Sequence, residues 1–279
     1  MIGARQVLLA AALVGGALLL AAVLTLWLTA RGATGQRIAV PAYFHPDSGS
    51  HWTQLEQGKP GGVALAVMNP DSGPGSGPDQ NYVTAVHAAE AAGITVVGYV
   101  YTSQGSRPTA AVKSDINDYY RWYPGINGIF FDQASTSCAE ERYYADLTRF
   151  VKAKSANALT ILNPGTRTNQ CYAPVADILL TFEGPASQYL SSYAAPSWIA
   201  RYPASHFWHV IYGAPTASVM ARVVELSKRR HAGYVYVTSA VPPNPYGGLP
   251  TGRYWSDELA AIASSTRSGG GGSSSSSGG

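Results

Sequence analysis

Two acidic residues follow apolar runs, where a carboxylate is costly to bury unless it is solvated, paired or used. Asp132 follows Gly-Ile-Phe-Phe, and Glu183 follows Leu-Leu-Thr-Phe. Two carboxylates are the minimum equipment for cleaving a glycosidic bond, because one protonates the leaving oxygen and the other attacks the anomeric carbon or activates water. The alternative is structural, with each acid paired to an arginine such as Arg107 or Arg167.

Other kinds of chemistry have less support. The chain lacks the G-x-S-x-G turn of many serine hydrolases, and its histidines show no H-E-x-x-H or comparable metal-binding spacing. We expect His206 and His209, which border a strand, to pack or to support other site residues. The formal net charge is +3 without a Lys/Arg stripe, so nucleic acid is not an expected partner. No cofactor or metal is predicted.

Candidate substrate-binding residues follow from the elements that must position the acids. Barrel enzymes place working residues at the C-terminal ends of strands and in the loops that follow. Tyrosine and tryptophan can pack on the apolar face of a sugar and also form hydrogen bonds. We expect Trp52 to be exposed, because Gly-Ser-His precedes it. The full set of predicted substrate-binding residues is Tyr43, Trp52, Asn69, Tyr99, Tyr101, Thr102, Arg107, Gln133, Asn163 and Tyr212.

Eight short apolar, β-branched and aromatic runs recur about every 28 residues, the length of one strand–helix unit. Their interiors are apolar without clean alternation, which is typical of parallel strands buried on both faces. The chain also lacks a G-x-G-x-x-G turn after the first run, which argues against dinucleotide binding. The predicted strands are 38–44, 63–69, 95–102, 128–132, 159–163, 178–183, 207–212 and 234–238.

Helical signals fill the gaps between these runs, with prolines near the starts and glycines after the ends. The gap between the fifth and sixth strands is short and predicts a stub. Eight strand–helix units favour a (β/α)8 TIM barrel, a single α/β domain spanning residues 37–267. An open, doubly wound sheet is the alternative. The predicted helices cover 78–92, 109–122, 140–154 and 215–230, with a last one starting at 257.

The two ends of the chain differ from this domain. Residues 7–30 are uncharged and long enough to span a membrane as a helix, so 1–36 are expected to form a signal-anchor or signal peptide with a short linker. Either reading predicts an extracytoplasmic protein, anchored in the membrane or secreted. Two cysteines in an exported protein predict one disulfide, Cys138–Cys171. Residues 268–279 are Gly and Ser and predict a flexible tail.

Several stretches together resemble the spherulin-4-like family, which includes fungal glycoside hydrolases that cleave galactosaminogalactan. The Asn-Pro-Asp-Ser-Gly-Pro-Gly run starting at Asn69 is the most specific of them. The others are Val-Pro-Ala-Tyr-Phe ending at Phe44, Gly-Tyr-Val starting at Gly98 with Thr102, Gly105 and Arg107, Gly-Ile-Phe-Phe-Asp ending at Asp132, Asn-Pro-Gly starting at Asn163, and Phe-Glu-Gly starting at Phe182.

The resemblance implies a (β/α)8 barrel without a metal cofactor that cleaves α-1,4-linked galactosamine or N-acetylgalactosamine polymers. It implies that Asp132 is the nucleophile and Glu183 the general acid/base. The sequence departs from the family at Gln133, where the family usually has Glu, and Gln can neither titrate nor carry charge. The main hypothesis is therefore a monomeric glycoside hydrolase acting on an amino-sugar exopolysaccharide or cell-wall glycan. The alternatives are a non-catalytic, lectin-like barrel and a structural envelope protein.

Overall fold

The structure is a computed structural model, and it describes residues 35–47 and 51–267. The predicted signal-anchor or signal segment and the predicted Gly/Ser tail lie outside these ranges. Among the described residues, no helix combines the length and the apolar character needed to cross a membrane.

Eight parallel strands form a closed barrel in which each strand pairs with the next along the chain and β8 pairs with β1. This confirms the predicted barrel and rules out the open, doubly wound sheet. The strands are β1 (Arg37–Ala42), β2 (Val63–Met68), β3 (Thr95–Tyr101), β4 (Ile126–Asp132), β5 (Leu159–Leu162), β6 (Ile178–Pro185), β7 (Phe207–Tyr212) and β8 (Tyr234–Val237).

Helices follow the strands as the alternating pattern predicted. The gap between β5 and β6 holds a 3₁₀ turn, Gln170–Tyr172, in place of a full helix. Two short helices were not predicted, one before β2 and one directly after β6. The α-helices are α1 (His51–Gln57), α2 (Gln80–Ala91), α3 (Thr109–Trp122), α4 (Glu141–Lys152), α5 (Ala186–Ser191), α6 (Ala217–Arg229) and α7 (Arg253–Arg267).

Large aromatic side chains fill the inside of the barrel. The rings of Phe130 on β4 and Trp208 on β7 meet edge to face at 5.8 Å, and Tyr99 on β3 stacks on Phe130 at 6.1 Å. Because β4 and β7 are not neighbours in the sheet, Phe130 and Trp208 must meet across the interior. The barrel therefore has a packed centre, and the open space lies above it at the carboxyl ends of the strands.

A β-bulge in β6 decides which way Glu183 faces. Leu180 pairs with Trp208 and Phe182 pairs with His209, so Thr181 is an extra residue without a partner in β7. Side chains of a regular strand alternate, and Glu183 is three residues beyond Leu180. In a regular strand the side chains of Leu180 and Glu183 would therefore point to opposite faces of the sheet. The extra residue places both on the face toward the barrel interior.

His209 supports this bulge from outside the barrel. It is completely buried, with Nε2 2.9 Å from the Thr181 hydroxyl and Nδ1 2.8 Å from the Tyr189 hydroxyl of α5. Burial, assisted by the positive charge of Arg230, lowers the pKa of His209 to about 3, so the imidazole is neutral. The prediction that His209 supports the site by packing agrees with this placement.

The junction of the first and last strands is short. Only two residue pairs join β1 to β8, at Arg37 and Ile38. Farther along β8, the backbone N–H of Val237 donates to Oε1 of Glu258, a completely buried residue of α7. Burial raises the pKa of Glu258 to about 8. The Glu258 side chain thus accepts the hydrogen bond from Val237 that a neighbouring strand would otherwise accept.

The predicted disulfide is confirmed. Cys138 and Cys171 are bonded, with their Cα atoms 5.9 Å apart. Cys138 lies in the loop after β4, and Cys171 lies in the loop after β5. The bond therefore ties together two loops that follow neighbouring strands at the open end of the barrel.

Candidate active site

Asp132 and Glu183 lie side by side, joined by one amide. Asp132 ends β4, and Glu183 lies near the end of β6. Asn163 follows β5 between them, and its Nδ2 donates to Asp132 Oδ1 at 2.9 Å and to Glu183 Oε2 at 2.6 Å. Because both bonds share one nitrogen, the two carboxylate oxygens are separated by at most about 5.5 Å, the two distances taken together.

Tyrosines hold the outer oxygens of both acids. The Tyr99 hydroxyl donates to Asp132 Oδ2 at 2.7 Å, and the Tyr246 hydroxyl donates to Glu183 Oε1 at 2.7 Å. Tyr43 packs edge to face between the two phenols, 5.5 Å from the Tyr99 ring and 5.7 Å from the Tyr246 ring. Each carboxylate oxygen thus has a donor, and the orientation of both acids is fixed.

Asp132 receives more donors than Glu183. Burial raises the pKa of Asp132, and bonds from the Tyr99 hydroxyl, the Gln133 backbone N–H and the Asn163 amide oppose that rise. A carboxylate that accepts several such bonds is stabilised in its ionised form. Asp132 is therefore the member of the pair better suited to carry the negative charge.

Glu183 is influenced by the charge of its neighbour. Burial raises its pKa, bonds from Tyr246 and Asn163 oppose the rise, and the negative charge of Asp132 adds to it. Two carboxylates this close do not both ionise readily. The charge of Asp132 therefore acts on Glu183 in the same direction as burial.

Gln133 has an unusual backbone beside Asp132. Its φ is +49°, in the left-handed region that non-glycine residues seldom adopt. Its carbonyl oxygen accepts from the Thr102 hydroxyl at 3.0 Å and from the Gln104 N–H at 2.7 Å. These bonds hold the backbone while the side chain stays exposed and lines the cleft. Thr102 is completely buried and acts on the site through the backbone.

Two adjacent cavities of about 290 Å³ each open at the acids, and both include Glu183 and Gly165 in their walls. This volume is close to the low end, about 300 Å³, of sites for small ligands. The first, the Asp132 cavity, is lined by Asp132, Gln133, Asn163, Pro164, Gly165, Glu183 and Tyr212. The second, the Arg167 cavity, is lined by Gly165, Thr166, Arg167, Phe182, Glu183, Gln188, Ser192 and Tyr193.

The structure does not pair either acid with an arginine. Arg107 forms an ion pair with Asp115 at 2.7 Å, donates to the carbonyl of Tyr101 at 3.1 Å and stacks on the Tyr101 ring. Arg167 forms no ion pair within the described part of the chain. The structural alternative for the acids is therefore wrong. Arg107 and Tyr101 instead support each other beside the loop that follows β3.

Two predicted substrate-binding residues are engaged elsewhere. Trp52 lies in α1, is 4% exposed, and its indole N–H donates to the carbonyl of Phe44 at 3.2 Å. The expectation of an exposed loop position for Trp52 is wrong, because the chain forms a helix there and buries the ring. Asn69 uses its side-chain oxygen to accept from the Gly73 N–H, which holds the turn after β2.

Tyr246 is the site residue that the sequence analysis missed. It lies in a loop rich in proline and glycine after β8, 63 residues beyond Glu183. An aromatic residue in the loop after the last strand was a usable signal, because that loop opens at the same end of the barrel. Within residues 35–47 and 51–267, no three His, Cys, Asp or Glu side chains are grouped so that they could hold a metal ion.

The fold and the paired carboxylates define a glycoside hydrolase-like barrel, a class of carbohydrate-active or carbohydrate-binding proteins. The chain belongs to spherulation-specific family 4 (Spherulin4), whose profile matches residues 37–262. It is 35% identical over 246 residues to Spherulin-4 of Physarum polycephalum, covering 84% of this chain and 72% of that protein.

Solved structures agree on the barrel. The crystal structure of Aspergillus clavatus Sph3 in complex with GalNAc is 25% identical, with a TM-score of 0.72 over 82% of this chain and 98% of that one. A GH2 β-galacturonidase from Eisenbergiella tayi is 10% identical, with a TM-score of 0.50 over 76% of this chain and 46% of that one. The second likeness bears on the fold alone.

Proposed function

We propose that this protein is a retaining glycoside hydrolase that uses Asp132 and Glu183. The observation that carries the proposal is the short distance set by Asn163, at most about 5.5 Å between the facing oxygens. Retaining enzymes hold their carboxyl groups about 5–5.5 Å apart, whereas inverting enzymes need about 6.5–9.5 Å to fit a water molecule. The upper limit on the facing oxygens supports the closer, retaining arrangement, in which one carboxylate attacks directly.

In this mechanism Asp132 attacks the anomeric carbon while Glu183 gives its proton to the departing glycosidic oxygen. The product of this step is a glycosyl ester on Asp132. Glu183, now ionised, then takes a proton from a water molecule as the water oxygen attacks the same carbon and displaces the Asp132 carboxylate. Two displacements restore the original anomeric configuration. The donors around Asp132 and the coupling that raises the pKa of Glu183 support these roles.

The proposed substrate is an α-1,4-linked polymer containing galactosamine or N-acetylgalactosamine, such as an exopolysaccharide or a cell-wall glycan. The GalNAc bound to Aspergillus clavatus Sph3 supports this substrate class. In an α-linked unit the C2 nitrogen is cis to the leaving group, so an acetamido group cannot attack from the rear. The protein must then supply the nucleophile, which agrees with two acids in one site.

We further propose that the barrel works outside the cytoplasm. The disulfide between Cys138 and Cys171 supports an oxidising compartment, where such bonds form and persist. The test is protease accessibility of a tag placed after residue 267 in intact cells, with recovery from the membrane and the medium. A tag found only in the cytoplasmic fraction would overturn this proposal.

Turnover of N-acetylated and free α-1,4-galactosaminoglycan by the full chain tests the enzymatic proposal, with new reducing ends as the measurement. We expect Asp132→Asn and Glu183→Gln to lose most activity, by at least about a thousandfold, while the surface variant Glu225→Gln keeps it. NMR of the first product should show the α anomer. Equal activity of the acid variants would end the assignment. Binding of the polymer without any products would instead favour the lectin-like alternative suggested by Gln133.

A further inference from the structure

The two cavities at the acids occupy different places relative to the proposed reaction. Glu183 lines both cavities, whereas Asp132 lines only the Asp132 cavity. If Glu183 protonates the glycosidic oxygen, that oxygen lies at the boundary between the cavities. The Asp132 cavity then holds the sugar whose anomeric carbon is attacked. The Arg167 cavity, on the far side of Glu183, receives the departing sugar.

Two arginines lie at the Arg167 cavity, one in its wall and one behind it. Arg167 is exposed in its wall, and it has no hydrogen bond or ion pair among residues 35–47 and 51–267. Arg230 lies behind the wall, with its guanidinium 4.4 Å from the Tyr189 ring centre and 5.2 Å from that of Tyr193. Arg230 also forms no ion pair in the described part of the chain; it donates to the carbonyl of Tyr189.

Both guanidinium groups act on the cavity wall. Burial raises the pKa of Tyr193, and the positive charges of Arg230 and Arg167, together with a bond to Thr181, oppose that rise. Three further polar side chains of the cavity, Thr166, Gln188 and Ser192, are exposed and neutral. When Glu183 holds the proton that the proposed mechanism requires, Arg167 carries the one remaining formal charge among the described residues that line the cavity. A charge of one sign concentrates ligands of the opposite sign.

The Asp132 cavity adds no compensating acid apart from the reacting pair. Gln133 lines it with a neutral amide. A free galactosamine unit carries an ammonium group, which the Arg167 guanidinium repels. A carboxylate on the departing sugar could instead pair with the planar Arg167 guanidinium through two parallel hydrogen bonds.

From the positions and charges of these residues, we infer that the Arg167 cavity is the leaving-group subsite and binds an acidic sugar, a hexuronate, in that position. This inference rests on the proposed function and narrows its substrate to a glycan in which an amino sugar is followed by an acidic sugar. Arg167 is the specificity-determining residue, with Gln188 and Ser192 available to the sugar hydroxyls.

Binding of monosaccharides to the full chain by calorimetry tests this inference, with galacturonate, galactose and galactosamine as the probes. We expect galacturonate to bind about five- to tenfold more tightly than either of the others at low salt, and the advantage to shrink at high salt. Arg167→Gln should abolish the advantage. Arg222→Gln, which removes an exposed arginine of α6, should keep it.

Equal binding of galacturonate and galactosamine, or a galacturonate preference that survives in Arg167→Gln, would overturn the inference. The test separates this subsite from the reaction itself, because Asp132 does not line the Arg167 cavity. Asp132→Asn should therefore keep the galacturonate preference while losing turnover. Turnover that depends on Asp132 and Glu183 without any galacturonate preference would leave the hydrolase standing and remove the acidic subsite.

Discussion

Asp132 and Glu183 accept hydrogen bonds from the same nitrogen atom, the side-chain amide of Asn163, at 2.9 and 2.6 Å. The amide therefore sets their spacing and neutralises part of the repulsion between them. A residue with no titrating group of its own controls the two residues proposed to carry the reaction.

Replacing Asn163 with alanine should lower kcat/KM by about ten- to a hundredfold, or about 1.5–3 kcal/mol, since each acid loses a donor that stabilises its charge. Initial rates on the galactosaminoglycan measure the effect. The matched control is Asn117→Ala, which alters an exposed residue of α3. Unchanged kcat/KM in Asn163→Ala would show that the spacing of the acids does not depend on this amide.

Removing the two tyrosine hydroxyls should move opposite limbs of the pH profile. The bond from Tyr99 lowers the pKa of Asp132, so Tyr99→Phe should raise it and move the acidic limb of kcat/KM to higher pH. The bond from Tyr246 lowers the pKa of Glu183, so Tyr246→Phe should move the alkaline limb to higher pH.

The pH dependence of kcat/KM measures both shifts. Tyr254→Phe is the control, because its hydroxyl donates to the carbonyl of Ala214 away from both acids. Movement of the same limb in both tyrosine variants would contradict the assignment of roles to the two acids.

Replacing both cysteines with serine should lower the free energy of unfolding by roughly 3–4 kcal/mol, since the bond closes a loop of 33 residues in sequence separation. Urea denaturation measures the loss. Reducing agent should lower the urea midpoint of the wild type to that of the variant, and it should leave the midpoint of the variant unchanged. A wild type insensitive to reductant, with a midpoint equal to that of the variant, would mean that the bond contributes nothing to stability.

Glu258 should make stability fall as the pH rises. Its pKa is about 8 in the folded chain, against an ordinary value of 4.5, so the folded state holds a proton that the unfolded state releases. The stabilising effect is complete below about pH 4.5 and is lost by about pH 8, with a total of up to about 4–5 kcal/mol.

Glu258→Gln keeps an oxygen to accept from Val237 and removes the titration. The difference in unfolding free energy between wild type and variant should therefore shift in favour of the variant from pH 5 to pH 9. A difference that stays constant over this range would rule out Glu258 as the titrating group.

Much of the fold was predictable because each strand is a compact apolar run. Phe207–Tyr212 has the predicted bounds, whereas β4 begins at Ile126, two residues before the prediction at Gly128. Gly128 has a φ of +149°, and a Cβ there would come within 2.2 Å of the Leu159 carbonyl oxygen. In a sequence, a glycine often indicates the end of a strand. Gly128 instead lies inside β4, because β5 approaches so closely that a side chain would not fit.

The site was predictable where strand ends determine it. Asp132, Asn163 and Glu183 were identified from their positions after apolar runs, and the structure brings them together. The β6 bulge was not predictable, because the run from Ile178 to Phe182 has no alternation that could reveal an extra residue. Tyr246 was missed for a related reason: it lies in a loop, where the sequence has no repeating pattern of apolar residues from which its position could be predicted.

The location of Tyr246 links the chemistry of the site to the order in which the chain is made. Strands β1 to β6 can be complete, with Glu183 already in place, before the residue that orients its outer oxygen has been synthesised. The last donor to the acid pair therefore comes later in the chain than all eight strands of the ring. A fragment that stops before residue 246 would carry both acids and still lack a finished site.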